Sequence, residues 1–362
     1  MSKLKVSMSL LLITLLVVSV FAMGCPPPPA APGPEVPVPP PAPIKWTIQM
    51  HGPAAHPAFR LHQQWANDVN VASGGRLQIT VHPVGTLFPL MEVFPAVSRG
   101  ALDGAIMWGP FWRGIRPALA LSCGQTSGLN AFEFTTWLHN YGGWELIKEL
   151  YAQYNIHWMP SIPMPPETFL WAHKPIRTLD DLEGLKVRAA GFSLVTFTKL
   201  GIAATFIPGG ETPPALMKGV VDAAEFGALM QDKAVGFHEA ARYAMIGARA
   251  PVIYDDLMIN MDRWNELPLE LQEIVTSTML RHIETGHGEL LLLDKLALQL
   301  LKEKGITFVQ VSDELIDTFR TTLDGILDEE AAKDPDFAKI RESLKTFRTE
   351  FRQFMETLYP WE

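Results

Sequence analysis

Among the residues of this chain, Arg188 is the one whose type and place best suit it to holding a ligand. It sits near the end of a predicted strand over 185–190, with Val187 and Ala189 on the opposite face. α/β sheets present strand-end residues to a cleft. A guanidinium offers a planar fork of donors that matches a carboxylate in a bidentate pair. On pattern alone, a surface ion pair with Asp181 or Glu183 explains the residue as well. Glu225, near the end of a predicted strand over 220–226, would face the same cleft or stand as a solvated strand-end carboxylate. Glu167 lies at the start of a predicted strand over 168–173, four residues before Trp171, and on pattern alone reads as a solvated loop residue. Two carboxylates can bind a hard cation such as Ca²⁺ through oxygen alone, and Na⁺ is the other candidate.

Trp108, Phe111 and Trp112 follow a predicted strand over 102–108. They form either an aromatic wall over a ligand or ordinary core. His51 and His56 flank Gly52-Pro53 at the end of the first strand, and the sequence places no third metal ligand beside them, which favours a cleft-edge turn. Cys123 is the one cysteine outside the leader region and reads as a small buried thiol. Catalytic signatures are absent: there is no Gly-x-Ser-x-Gly, no HExxH, no P-loop and no Gly-x-Gly-x-x-Gly after a strand. The formal charge of −9, with no basic run, argues against nucleic acid. It also means that an anionic ligand must be held by local groups and not by the overall field.

Positioning these residues requires strands that alternate with helices. Strands are predicted over 46–50, 77–81, 102–108, 155–159, 168–173, 185–190, 204–208, 220–226 and 252–261. Helices are predicted over 57–71, 91–99, 130–154 with a break at Gly142-Gly143, 193–200 and 212–218. Beyond Trp264 the chain reads as almost wholly helical, with one or two helices over 268–304, a short strand over 306–311 and helix over 313–359. The alternation predicts βαβ units and a mostly parallel sheet. Two such units and a helical tail predict two lobes with a cleft between them, the usual place for a small-molecule site. Lobe one is expected over 44–166 plus about 251–262, lobe two over 167–250, and a bracing helical tail over 263–362.

The amino-terminal end sets the compartment. Lys3 and Lys5 precede an apolar run over 6–23 that ends in Ala22-Met23-Gly24-Cys25. Residues 1–24 resemble a lipoprotein signal peptide, with Cys25 as the lipidated first residue of the mature chain. An uncleaved transmembrane anchor is the alternative. Residues 26–43 are nearly all Pro, Ala, Gly and Val and cannot build a core. As extended polyproline II they would hold the folded part roughly 50 Å from a bilayer.

Several segments, in order, resemble the solute receptors of TRAP (tripartite ATP-independent periplasmic) transporters. They are Ser73-Gly74-Gly75-Arg76-Leu77 with Gly85, Arg99-Gly100-Ala101-Leu102-Asp103-Gly104, Leu179 through Arg188, and Lys218-Gly219-Val220-Val221-Asp222-Ala223-Ala224-Glu225. The resemblance covers about 46–264. Gly128-Leu129-Asn130-Ala131, Gly142-Gly143, Gly191-Phe192 and Pro208-Gly209-Gly210-Glu211 narrow it to the branch that binds 2-oxo and 2-hydroxy acids. It implies a two-lobed, periplasmic-binding-protein-like (type II-like) α/β receptor with a hinge and long C-terminal helices. No chemistry is implied, only delivery of a small organic carboxylate to a membrane permease. Arg188 would hold the carboxylate. A Ca or Na ion would sit beside the ligand on Glu225 and on Glu167, where the branch often carries Gln. Phe226 stands where Trp is usual, and Trp108 and Phe111 would complete the ligand-binding wall. The stretch Gly247-Ala248-Arg249-Ala250-Pro251 departs from the branch's "GWHEPG" and makes Arg249 new. Related receptors include dimers, and Phe351, Phe354 and Leu358 on one face of the last helix suit either a homodimer or packing on the chain's own body. An extracytoplasmic enzyme on small acids, or a lipid-anchored sensor serving another membrane protein, would share much of this sequence pattern.

Overall fold

The computed structural model describes residues 42–247 and 249–358. The expected signal peptide, Cys25 and all but the last two residues of the Pro-rich linker lie outside the described residues. Strand β1 (Ile44–Met50) opens the folded part. Helix α1 (Pro57–Ala72) follows, started by His56, whose Nδ1 accepts the Ala58 N–H at 3.2 Å, and by Pro57, whose fixed φ and missing N–H suit the first helical position. The helix buries Phe59, Leu61, Trp65 and Val69 against the sheet. It stops at Ser73-Gly74-Gly75, where both glycines take positive φ (61° and 82°), a conformation that costs other residues a Cβ clash. Then come β2 (Leu77–His82), α2 (Val93–Ser98), β3 (Gly104–Met107), α3 (Ala131–Asn140), α4 (Gly143–Ala152) and β4 (Ile156–Met164). The break at Gly142-Gly143 is where the sequence puts it. Asn130 caps α3 in a capping box with Glu133.

After β4 the chain crosses to a second sheet. Its elements are β5 (Leu170–Ala172), β6 (Lys186–Arg188), α5 (Gly191–Lys199), β7 (Ala203–Thr205), α6 (Thr212–Met217), β8 (Ala223–Ala224), α7 (Leu229–Val235), α8 (Phe237–Ala240) and β9 (Tyr243–Ile246). It returns through β10 (Ile253–Asn260), α9 (Met261–Asn265) and a single 35-residue helix α10 (Leu269–Glu303). Gly286 lets α10 lie close on β4: a Cβ there would stand 3.0 Å from the Ile162 side chain. Strand β11 (Thr307–Gln310), α11 (Asp313–Ala331) and α12 (Pro335–Leu358) complete the chain. Phe347 of α12 is buried on the body, whereas Phe354 and Leu358 are exposed. Among the described residues no helix is long and apolar enough to cross a membrane.

The first sheet runs β2-β1-β3-β10-β4 and the second β11-β9-β5-β8-β6-β7. A mostly parallel sheet was the expectation, and both sheets are mixed. β10 runs antiparallel to β3 and β4, and β5 runs antiparallel to β8 and β9. The reason is the crossing of the chain between sheets. β4 leads out and β10 leads back, so they pair in opposite senses, and β5 and β9 do the same in the second sheet. The two crossing segments lie side by side, with Glu167 N–H donating to Ala250 O at 3.1 Å and Phe169 N–H to Met245 O at 2.8 Å. The strand expected over 220–226 shrinks to Ala223–Ala224, because β6 and β5 reach it only there. β11 is an edge strand of the second sheet, parallel to β9, so the tail adds a strand as well as helices.

Candidate functional site

Arg188 is the last residue of β6, between β8 and β7 in the second sheet. It is 4% exposed, so the surface ion pair that its sequence allowed does not form. Asp181 instead accepts the Arg177 and Thr178 backbone N–H groups at 2.7 and 3.1 Å. Arg188 Nε donates to Ile207 O at 2.9 Å, and Nη1 donates to Glu225 O at 2.6 Å. The rings of Phe206 and Phe226 each lie 5.7 Å from its guanidinium carbon, within cation–π range. Nη2 has no hydrogen-bond partner among the described residues. Burial lowers the Arg188 pKa from its ordinary value and the Glu225 carboxylate works against that. An arginine so placed keeps its charge.

Glu225 follows β8 directly and its N–H donates to Arg188 O at 3.0 Å. Its Oε1 accepts the Ala190 N–H at 2.7 Å and lies 3.9 Å from Arg188 Nη1. Glu167 stands in the outgoing crossing segment, before β5 and not within it. Arg249 comes from the returning segment and lies between the two acids. Its Nη2 is hydrogen-bonded to Glu167 Oε2, and its Nη1 makes an ion contact, outside hydrogen-bond geometry, with Glu225 Oε2. Nη1 also donates to Ser193 Oγ at 3.0 Å, and Nε reaches Thr168 O at 3.4 Å. All three side chains are at most 5% exposed. Burial pushes the Glu167 carboxyl up to about 7, with Arg249 opposing. Burial acts to lower the Arg249 pKa, but Glu167 and Glu225 together hold it above the ordinary value.

A buried acid that sequence reasoning missed ties this corner together. Asp232 of α7 accepts Trp171 Nε1 at 2.6 Å, Thr168 Oγ1 at 2.8 Å and Gly227 N–H at 2.9 Å. It thereby fixes the residues beside Glu167 and Phe226. Burial pushes its pKa up to about 8 against those three donors. The sequence predicts no element over 229–246, where short helices interrupted by Gly236 carry no clear period.

The opposite wall comes from the first sheet. Trp108 and Phe111 pack edge to face at 5.0 Å and line the cavity, whereas Trp112 is fully buried against Phe94 and belongs to the core. His51 and His56 line the cavity edge with their rings 5.4 Å apart. His51 Nε2 lies 3.1 Å from Asp255 Oδ1. Burial pushes His56 down to about 3, so it is neutral. Alternation along β10 sends Asp255 to the cavity and Asp256 into the core, where Trp158, Tyr151 and Ser122 donate to it. Cys123 is buried and its thiol is held far from ionisation by desolvation.

Between the sheets these side chains enclose a cavity of about 260 Å³. The structure brings Arg188, Glu225, Phe226, Glu167, Trp108 and Phe111 to this one space. A mostly apolar room with one partly free guanidinium suits a small anion with an apolar body.

Residues 48–334 match the family model described as "Bacterial extracellular solute-binding protein, family 7". The chain is 31% identical over 313 residues to a monocarboxylate 2-oxoacid-binding periplasmic protein of Nostoc sp., spanning 84% of each. A TRAP periplasmic solute-binding protein from Colwellia psychrerythraea, with bound calcium and pyruvate, superposes with a TM-score of 0.83 at 27% identity, covering 88% of this chain and 98% of that one. A protein of the same kind from Pseudoalteromonas atlantica, with bound sodium and pyruvate, gives 0.82 at 28%, covering 88% and 97%.

Proposed function

The chain belongs to bacterial extracellular solute-binding protein family 7, and on that premise we propose that it captures a small 2-oxo or 2-hydroxy carboxylate outside the cytoplasmic membrane and hands it to the permease of a TRAP transporter. The family is one of receptors, so the work is binding and release and not catalysis. The observation that carries the reading is Arg188, a buried cation that lines the cavity and whose Nη2 has no hydrogen-bond partner among the described residues. Its two other donor nitrogens are spent on Ile207 O and Glu225 O, which fix the fork in place. A ligand carboxylate that meets it gains a charge-assisted hydrogen bond from a preorganised group. Phe226 on one side and Trp108 and Phe111 on the other would wall the apolar end of the acid. Glu225 orients Arg188 from behind.

The related structures hold calcium or sodium with pyruvate. In this chain Glu167 and Glu225 already enclose Arg249. Among the described residues no group of three or more His, Cys, Asp or Glu is placed to hold an ion. These residues do not fit a metal ion, and the binding step rests on side chains alone. Lobe one (44–166 with about 251–262) and lobe two (167–250) would close about the paired crossing segments, braced by the helical tail over 263–362. Closure would exclude water and strengthen the Arg188 ion pair by lowering the local dielectric. Cleavage after residue 24 and lipidation of Cys25 would leave the receptor tethered by its Pro-rich linker.

Thermal unfolding of the folded part with pyruvate, lactate, succinate and glucose tests the reading. A ligand that binds only the native state raises the melting temperature. A rise with one class of acid, absent in Arg188→Ala, supports it. No rise with any carboxylate, or an equal rise in Arg188→Ala, contradicts it.

A further inference from the structure

The geometry points to Arg249 as a built-in replacement for the metal ion: its guanidinium occupies the place between Glu167 and Glu225, and this receptor closes on its ligand without a bound cation. Four observations carry this. First, Glu167 and Glu225 are the two carboxylates that the sequence offers as oxygen donors for a hard cation, and each turns Oε2 toward the same guanidinium. Second, the guanidinium is fully engaged. Nη2 meets Glu167, Nη1 meets Glu225 and Ser193 Oγ, and Nε meets Thr168 O. A divalent ion that took the same oxygens would have to displace it or sit against it as a like charge. Third, Arg249 is 5% exposed and both acids are as deeply buried, so the contact is closed off from solvent and the place between the carboxylates is already filled. Fourth, Arg249 comes from the returning crossing segment, whose neighbour Ala250 accepts the Glu167 N–H, so the backbone delivers the cation to the acids at the base of the cleft.

Arg249 meets both glutamates, which leaves Arg188 Nη2 as the partner for a monocarboxylate. Binding should then be indifferent to the cation content of the medium, unlike that of a receptor whose ligand shares an ion with the protein.

This inference concerns the site of the proposed function, but its test uses metal alone. The purified chain, stripped with chelator, is melted with Ca²⁺, with Na⁺ and with a choline salt as control. The expected melting temperature is the same in all three, within about 1 °C. Arg249→Ala, which empties the space between the acids, should acquire a Ca²⁺-dependent rise of several degrees. A Ca²⁺- or Na⁺-dependent rise in the parent that disappears in Glu225→Gln would overturn the inference. So would an Arg249→Ala protein that folds and shows no response to Ca²⁺. Should Arg249→Ala fail to fold, the parent and Glu225→Gln decide the matter by themselves. Failure of every organic acid to bind would leave this result untouched, so the two readings fail separately.

Discussion

Replacing Arg249 by Met removes the cation that lies between two buried acids and leaves Arg188, 3.9 Å from Glu225, as the remaining positive charge beside them. Met is unbranched, of similar length and apolar, so the space stays filled and the loss is chiefly electrostatic. Glu167 and Glu225 are each at most 5% exposed, and both lose their nearest cation. Breaking a buried ion pair from one side costs about 3–5 kcal/mol, because a charge is left buried without compensation. Glu167 would answer by holding its proton to higher pH, which limits the loss in acid and exposes it in base. Burial already holds the Glu167 pKa near 7, above its ordinary 4.5. The folded state therefore binds a proton more tightly than the unfolded chain, and stability falls as pH rises between those values. Removing Arg249 extends that fall to higher pH, at about 1.4 kcal/mol per unit for each proton held. Urea denaturation at neutral pH should place Arg249→Met about 3–5 kcal/mol below the parent, with the gap widening between pH 7 and pH 9. The triple variant Glu167→Gln, Glu225→Gln, Arg249→Met carries no buried charge at these positions and should recover more than half of the loss. A single variant within about 1 kcal/mol of the parent, with an unchanged pH profile, would refute the reasoning.

Asp232→Ala strands three buried donors, on Trp171, Thr168 and Gly227, and should cost more than about 2 kcal/mol in the same assay. Arg188→Lys keeps the charge but not the fixed fork and should weaken acid binding by about tenfold or more in calorimetry, with little change in stability. Burial pushes His157, stacked on Trp264 at 3.8 Å, down to about 3 from 6.5. The unfolded chain takes the proton first, so this contribution is whole above about pH 6.5 and is lost as pH falls toward 3. His157→Phe keeps the stack and cannot titrate. On going from pH 7.5 to pH 5 the parent should lose about 2 kcal/mol relative to the variant.

The order of strands and helices was legible because hydrophobic period and Gly/Pro punctuation carry local information. α1, the split between α3 and α4, and the return strand β10 fall where the pattern puts them. The sense of β5 and β10 was not legible, since nothing local distinguishes a strand that crosses between sheets from one that continues a βαβ unit. Arg188 and Glu225 could be named because strand ends mark clefts and their motifs resemble the TRAP receptors, and Glu167 because its place resembles a metal-ligand position of that branch. What Arg249 does could not be read. Its partner Glu167 is 82 residues away in sequence, and the contact exists only because two crossing segments lie together. Asp232 sits in short elements with no period to betray them, and Asp255 and Asp256 differ only in which face of β10 they occupy.

The most direct measurement is a crystal structure of the receptor grown with a bound 2-oxo acid in the presence of chelator. The acid's carboxylate should lie within hydrogen-bond distance of Arg188 Nη2, between Phe226 and the Trp108–Phe111 wall, with Arg249 still held between Glu167 and Glu225. A carboxylate paired elsewhere with Arg188 left free, or an acid that enters only with an ion seated between the two glutamates, would contradict it.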